Sequence, residues 1–134
     1  MSATIEAREV FAVIPPGIQG YLKQVVSGGK DVDWMPFEIK REYTNAFIIK
    51  DGKILLGYKK RGFGVGMYNG FGGKVEPGES SLQGALRELK EEAGITAPLE
   101  HAGTLLFLSE GVDHAFNIEI YRADAYSGVV TESV

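Results

Sequence analysis

Residues 72–95 read GGKVEPGESSLQGALRELKEEAGI, and this stretch decides the fold. Ser80 with Gln83 makes a capping-box start for a helix over 80–93. Leu82, Ala85, Leu86, Leu89 and Ala93 recur at helical spacing, and Gly94 supplies the C-terminal stop. That apolar stripe fixes the side facing the core. The other side carries Arg87, Glu88, Glu91 and Glu92. At about 100° per residue the three glutamates fall within roughly one 100° arc. Like charges stacked this way weaken an isolated helix by a few tenths of a kcal/mol per pair, roughly. Arg87 offsets part of this, and a hard divalent cation, which wants carboxylate oxygens, offsets far more. A plainly solvated glutamate face is the alternative reading. The flanks argue against it. Glu79 sits just before the helix, and Gly72, Gly73 and Lys74 form a turn that lets backbone approach an anion or a metal. Lys59, Lys60, Arg61 and Lys74 make a cationic rim with no acid between residues 59 and 75. A basic, glycine-rich loop feeding an acidic helix suits a polyphosphate bound through a metal: cations hold phosphates, carboxylates hold the metal.

Working outward, residues 43–50 (YTNAFIIK) are strand-like, Asp51-Gly52 is a hairpin turn, and KILLGY is the predicted partner strand. The glycine-rich stretch 59–78 contains a short predicted strand over 71–75. Residues 104–108 (TLLFL) read as a buried strand. Residues 115–123 alternate, with Phe116, Ile118 and Ile120 on one face and Asn117, Glu119 and Tyr121 on the other. A helix flanked by strands gives an α+β domain.

The pattern Gly73-x5-Glu79-x7-Arg87-Glu88-Leu89-x-Glu91-Glu92-x-Gly94-Ile95 resembles the Nudix box in full. Rival phosphate motifs fail: no G-x-G-x-x-G fits the glycine-rich stretch, and Gly73-Lys74 is followed by Val75 rather than Ser or Thr. Over residues 43–133 the chain is similar to the oxidised-purine nucleoside triphosphatase branch of the Nudix hydrolases, which hydrolyses 8-oxo-dGTP. The resemblance implies a mixed β-sheet with the Nudix loop and helix. Glu88, Glu91 and Glu92 would be carboxylate ligands of Mg²⁺, with Mn²⁺ as a substitute and the Gly72 carbonyl as a further ligand. Arg87 would orient the glutamates, and Glu79 would support the junction of loop and helix. Phe71, Gly72, Gly73 and Lys74 would lie along the triphosphate and sugar. Thr44, Lys59 and Asn69 match positions lining the base pocket, and Phe63 and Phe107 match its apolar wall, with plain core packing as the alternative for the two phenylalanines. The implied reaction is metal-assisted hydrolysis to a nucleoside monophosphate and pyrophosphate, with a glutamate as the base.

Members of the family continue past the position of Val134 with a further acidic ligand, aromatic and aspartate residues for the purine, and a second helix. The sequence ends at VVTESV, so the resemblance implies a sheet without that covering helix and with an apolar face exposed. Two readings follow. One is an active pyrophosphohydrolase. The other is a truncated isoform that binds metal or nucleotide without efficient turnover. A Nudix enzyme for another diphosphate-linked substrate fits the upstream loop less well.

The remaining features bound these readings. The chain has 134 residues, 44% hydrophobic, which suits one globular domain. Residues 1–41 are expected to be an N-terminal extension, broken at Pro15-Pro16-Gly17, with a short helix over 18–26 and the only tryptophan, Trp34. Residues 42–134 form the expected catalytic domain. A net charge of -4 argues against a nucleic-acid polymer as partner, since phosphate backbones need a basic footprint. The absence of cysteine removes disulfides, thiolate metal sites and cysteine nucleophiles. No apolar run approaches the roughly 20 residues of a membrane span, and the N-terminus lacks signal-peptide features. The expectation is a soluble, cytoplasmic monomer whose partner is a small nucleotide. His101 and His114 are read as surface or loop positions without a role.

Overall fold

The computed structural model describes residues 37–62 and 64–132. The expected helix over 18–26, Trp34 and Phe63 lie outside the described residues. The described part belongs to one compact unit, Phe37–Val134.

Strand β1 (Ile39–Lys50) begins four residues before the predicted start at 43. The Asp51-Gly52 turn, with φ of 52° and 72°, reverses it into β2 (Lys53–Leu55). The predicted partner strand KILLGY is broken at Leu56. Its second part, β3 (Gly57–Tyr58), leaves the main sheet and pairs with β4 (Tyr68–Asn69) as a separate two-stranded ribbon. The chain then runs through the glycine-rich loop into helix α1 (Ser81–Ala93), followed by β5 (Glu100–Phe107) and β6 (His114–Ala123). The main sheet has the order β2-β1-β6-β5, with β1 parallel to β6 and the other pairs antiparallel.

Helix α1 starts and stops as the sequence predicts. Ser80 Oγ accepts from the Gln83 N–H at 3.1 Å, and Gln83 Oε1 accepts from the Ser80 N–H at 2.8 Å. Gly94, at φ 74°, closes the helix with its N–H on the Lys90 carbonyl. The buried face is Gly84, Ala85, Leu89 and Ala93. Leu82, expected on that stripe, is 39% exposed instead. Ser81 points inward in its place, with its hydroxyl 2.5 Å from that of Tyr121.

The core lies between α1 and one face of the sheet. Ala46 and Ile48 of β1 alternate into it, as do Tyr121 and Ala123 of β6, joined by Phe71, Ile95, Ala97 and Leu99. The more apolar alternation of β6, Phe116, Ile118 and Ile120, faces the other way and lines an open cleft together with Tyr43, Asn45 and Phe47. Residues 104–108 were expected to be buried. They form the sheet edge, and Leu105 and Phe107 are 49% and 52% exposed. The reason is geometric: the single described helix packs on β1 and β6 from one side, and no described element covers the other.

Beyond the apolar core, the helix face of the sheet carries a polar strip. Asn117 is buried and donates to Glu42 at 2.6 Å and to Glu119 at 3.1 Å. Glu119 also accepts from Thr104 at 2.7 Å and meets His101 Nε2 at 2.5 Å, and these hydrogen bonds, His101 first, hold its carboxyl below the usual range. His114 is not on a loop or at the surface: it opens β6, is buried, and meets Asp113 at 2.8 Å.

Ser80→Ala removes a reciprocal cap and is expected to destabilise the domain by about 1 kcal/mol, read as a shift of the urea midpoint at constant slope. An unchanged midpoint would show that the cap adds nothing to the packing of α1.

Candidate active site

The glycine-rich loop is stitched to the free edge of β1. Phe71 and Ala46 exchange backbone hydrogen bonds at 2.6 and 2.9 Å, Thr44 N–H donates to the Gly73 carbonyl at 2.9 Å, and Val75 N–H donates to the Glu42 carbonyl at 3.0 Å. The strand predicted over 71–75 is therefore reduced to isolated bridges at Phe71 and Lys74. Close approach requires glycine at Gly72 and favours it at Gly73. A Cβ at Gly72 would overlap the Thr44 carbonyl, and one at Gly73 would come within 2.7 Å of Glu88 Oε1. The loop is thus clasped between strand and helix.

Arg87 ties loop to helix. Its Nε and Nη2 donate to the two oxygens of Glu79 at 3.1 and 2.7 Å. Nη2 also donates to the Lys74 carbonyl at 3.1 Å, and Nη1 to Glu88 Oε1 at 2.8 Å. Glu79 accepts a further bond from the Glu76 N–H at 2.7 Å. The bonds from Arg87 and then Glu76 hold the Glu79 carboxyl below its usual range, and the bonds to Glu79 and Glu88 raise the guanidinium further above its own. A planar, bidentate fork of this kind fixes direction as well as charge.

Of the three glutamates, two come together. Glu88 and Glu92 lie close enough to each other and to the Gly72 backbone for their protonation to interact. Burial first, then the charge of Glu88, pushes the Glu92 carboxyl up to about 7, opposed by the Gly72 backbone and by Lys59. Glu91 stands apart: its carboxylate is 60% exposed and 3.4 Å from Arg87 Nη1. Among the described residues no three acidic or histidine side chains are already gathered as a metal site. The donor set nevertheless fits a hard divalent ion. Two neighbouring, partly buried carboxylates are relieved of their repulsion by a shared proton or a shared cation, and Glu91 stands between them in sequence on the same helix.

The cleft continues from Gly72, Gly73 and Glu92 over the open sheet face, bordered by Lys59, Asn69 and Phe107. Phe107 is exposed there, so the core-packing alternative does not hold for it. Lys59 is anchored by backbone bonds with Met67 and Gly66 at 2.9 and 2.8 Å. In the cationic rim Lys60 pairs with Glu132 at 2.6 Å. Thr44 borders the cleft, but alternation turns its side chain with Ala46 and Ile48 toward the helix side, where its hydroxyl is buried without a partner. Sequence reasoning passed over Asn45, which β1 does present to the cleft. The available signal was an amide between Tyr43 and Phe47 on an otherwise aromatic face.

The NUDIX domain family matches residues 40–120, on the same strand, loop and helix that build this site. The chain belongs to that family. It is 46% identical over 91 residues to an oxidized purine nucleoside triphosphate hydrolase from Danio rerio, covering 67% of this chain and 58% of the relative. It is 44% identical over 94 residues to the protein of the same description from Mus musculus, covering 69% and 60%. The chain therefore spans less than two thirds of the length of either relative. A crystal structure of a MutT NUDIX hydrolase from Burkholderia pseudomallei superposes with a TM-score of 0.67 at 28% identity, over 72% of this chain and 76% of that one. Nudix hydrolases generally use divalent metal ions. No helix among the described residues is long and apolar enough to cross a membrane.

Gly72→Ala forces the Nudix loop off β1 and is expected to cost about 1–3 kcal/mol or more of stability, the range for overpacking, measured by urea unfolding. Wild-type stability would mean that the loop tolerates displacement. Glu92 supplies a pH test on the metal-free protein. Its folded value, about 7, lies above its ordinary 4.5, so between the two the folded chain holds a proton that the unfolded chain releases. Its contribution to stability is full below 4.5 and lost as pH rises through about 7. Glu92→Gln is expected to raise the melting temperature relative to wild type near pH 8 and to close the gap near pH 4, roughly. A gap that is the same at both pH values would remove burial of the Glu92 charge as its cause.

Proposed function

We propose that the chain hydrolyses oxidised purine nucleoside triphosphates such as 8-oxo-dGTP to the monophosphate and pyrophosphate, with Mg²⁺, clearing damaged nucleotides from the cytoplasmic pool. The observation that carries this reading is Glu88, held by Arg87 against Gly73, beside Glu92 at the mouth of an open cleft. Two relatives at 44–46% identity, both oxidized purine nucleoside triphosphate hydrolases, support the choice of substrate.

In this mechanism Glu88, Glu91, Glu92 and the Gly72 carbonyl hold the metal, which when bound polarises water and phosphoryl oxygens. Arg87, fixed by Glu79 and the Lys74 carbonyl, keeps Glu88 facing the loop. The backbone of residues 71–74 and the Lys74 ammonium lie along the triphosphate and hold charge as it develops on the phosphoryl oxygens. A glutamate of the set takes the proton of the attacking water at a carboxylate oxygen. Because the carboxylates interact, their protons belong to the group rather than to one residue. Lys59, Asn69 and Phe107 surround the sugar and base, with Lys59 supplying charge and Asn69 an amide. The absence of cysteine suits a reducing compartment.

Purified protein with Mg²⁺ and 8-oxo-dGTP is expected to release the monophosphate and pyrophosphate, and Glu91→Gln or Glu92→Gln to cut the rate by orders of magnitude. Equal rates in wild type and both variants would reject the role assignment. Metal binding without turnover would favour the binding-only reading, for which the uncovered sheet face is the structural ground.

A further inference from the structure

Asn45 sits where an apolar residue would pack better. It lies on the cleft face of β1, two residues from Tyr43 and from Phe47 and in register with Ile120 of β6. Its Oδ1 is buried without a hydrogen-bond partner, pressed toward Gly70, where a Cβ would come within 2.5 Å of it. An orphaned buried acceptor destabilises a fold, so the amide is retained against stability rather than for it.

What the amide does instead is visible at its other end. Gly70 N–H donates to Asn69 Oδ1 at 2.8 Å. A backbone N–H has no acceptor in an NH₂ group, so this bond fixes which end of the Asn69 carboxamide is oxygen. Asn45 Nδ2 donates to the same oxygen at 3.1 Å. Both bonds fall on Oδ1, and the two Nδ2 protons of Asn69 are what its amide has left to offer the cleft. The same two bonds explain the orphan: once Asn69 must show oxygen to Asn45, Asn45 must show its NH₂, and its own oxygen is turned toward glycine.

We propose that Asn45 is a positioning residue for base recognition: it pins the Asn69 carboxamide with its NH₂ toward the cleft, selecting a base edge that carries a carbonyl over one that carries an amino group. This rests on the oxidised-purine reading above and deepens it, assigning the site a preference for a purine with a carbonyl rather than an amino group at C6. The selectivity follows from hydrogen-bond polarity. A donor facing a carbonyl forms a bond, whereas a donor facing an amino group leaves both groups unpaired.

The test uses Asn45→Leu, which keeps the branched heavy-atom skeleton without the amide, and Asn45→Asp, whose carboxylate cannot donate to Asn69. Steady-state kinetics compare 8-oxo-dGTP with 2-hydroxy-dATP, alongside urea unfolding and hydrogen exchange of the Gly70 amide by NMR. For Asn45→Leu the expected results are an unfolding midpoint equal to or above wild type, unchanged kcat on 8-oxo-dGTP, and a KM raised about threefold to tenfold, the worth of one hydrogen bond. The preference for 8-oxo-dGTP falls by the same factor, and Gly70 exchanges faster. In Asn45→Asp the Asn69 amide turns its NH₂ to the carboxylate, and preference moves further toward 2-hydroxy-dATP. Unchanged KM and preference in both variants would overturn the proposal. So would a lowered midpoint with kcat falling equally on both nucleotides, the signature of a merely structural residue. If wild type turns over neither nucleotide, the substrate reading fails on its own. Gly70 exchange and the Asn69 side-chain resonances then decide the Asn45 role separately: altered in Asn45→Leu they support it, and identical to wild type they overturn it.

Discussion

The fork of Arg87 on Glu79 is the contact from which the site is organised. A glycine-rich loop has little side chain with which to hold itself, and the acidic face of a helix repels itself. One guanidinium answers both problems. It takes both oxygens of Glu79 at the end of the loop, the Lys74 carbonyl within it, and Glu88 on the helix. Lysine could supply the charge but not the planar set of donors that reaches three partners at once. With the loop fixed, Gly72 lies against the Thr44 backbone at a distance that excludes any side chain, and Gly73 lies against the Glu88 carboxylate. The backbone of Gly73 meets the Glu88 carboxylate as a result of that fixation.

The sheet divides labour between its faces. One face, through Ala46, Ile48, Tyr121 and Ala123, packs on the helix and anchors the carboxylates. The opposite face, from the same two strands in the same register, carries Tyr43, Asn45, Phe47, Phe116, Ile118 and Ile120 into the cleft. Period-two alternation thus places the helix-packing surface and the cleft surface one residue apart along a single strand. Thr44 and Asn45 are neighbours in sequence but lie on opposite faces.

Local signals were the legible ones. The capping box at Ser80, the Gly94 stop and the alternation of β6 are each decided within a few residues, and the structure has them where the sequence puts them. What the sequence did not disclose depends on distant partners. TLLFL reads as buried because apolar content says nothing about whether another element covers it, and here it is an edge. KILLGY reads as one strand because its break at Leu56 is set by the ribbon with Tyr68–Asn69. Leu82 yields the inward position to Ser81 because Tyr121, forty residues on, offers a hydroxyl. At the site, the three glutamates are equivalent by helical spacing. They become distinct once Gly72 approaches Glu92 and Arg87 takes Glu88.

The parallel pairing of β1 with β6 has a bearing on how the domain assembles. Ile39 pairs with His114 and Ile48 with Ala123, contacts that join segments 75 residues apart in the chain. On a ribosome, β1 emerges long before its neighbour exists, with its backbone donors and acceptors unclaimed. Helix α1 and the β5–β6 hairpin close over short loops, whereas the centre of the sheet must wait for nearly the whole unit to be made. Such non-local topology slows folding through the entropy of loop closure and prolongs the lifetime of open strand edges. The arrangement that gives one strand a core face and a cleft face therefore commits the nascent polypeptide to late, all-at-once consolidation.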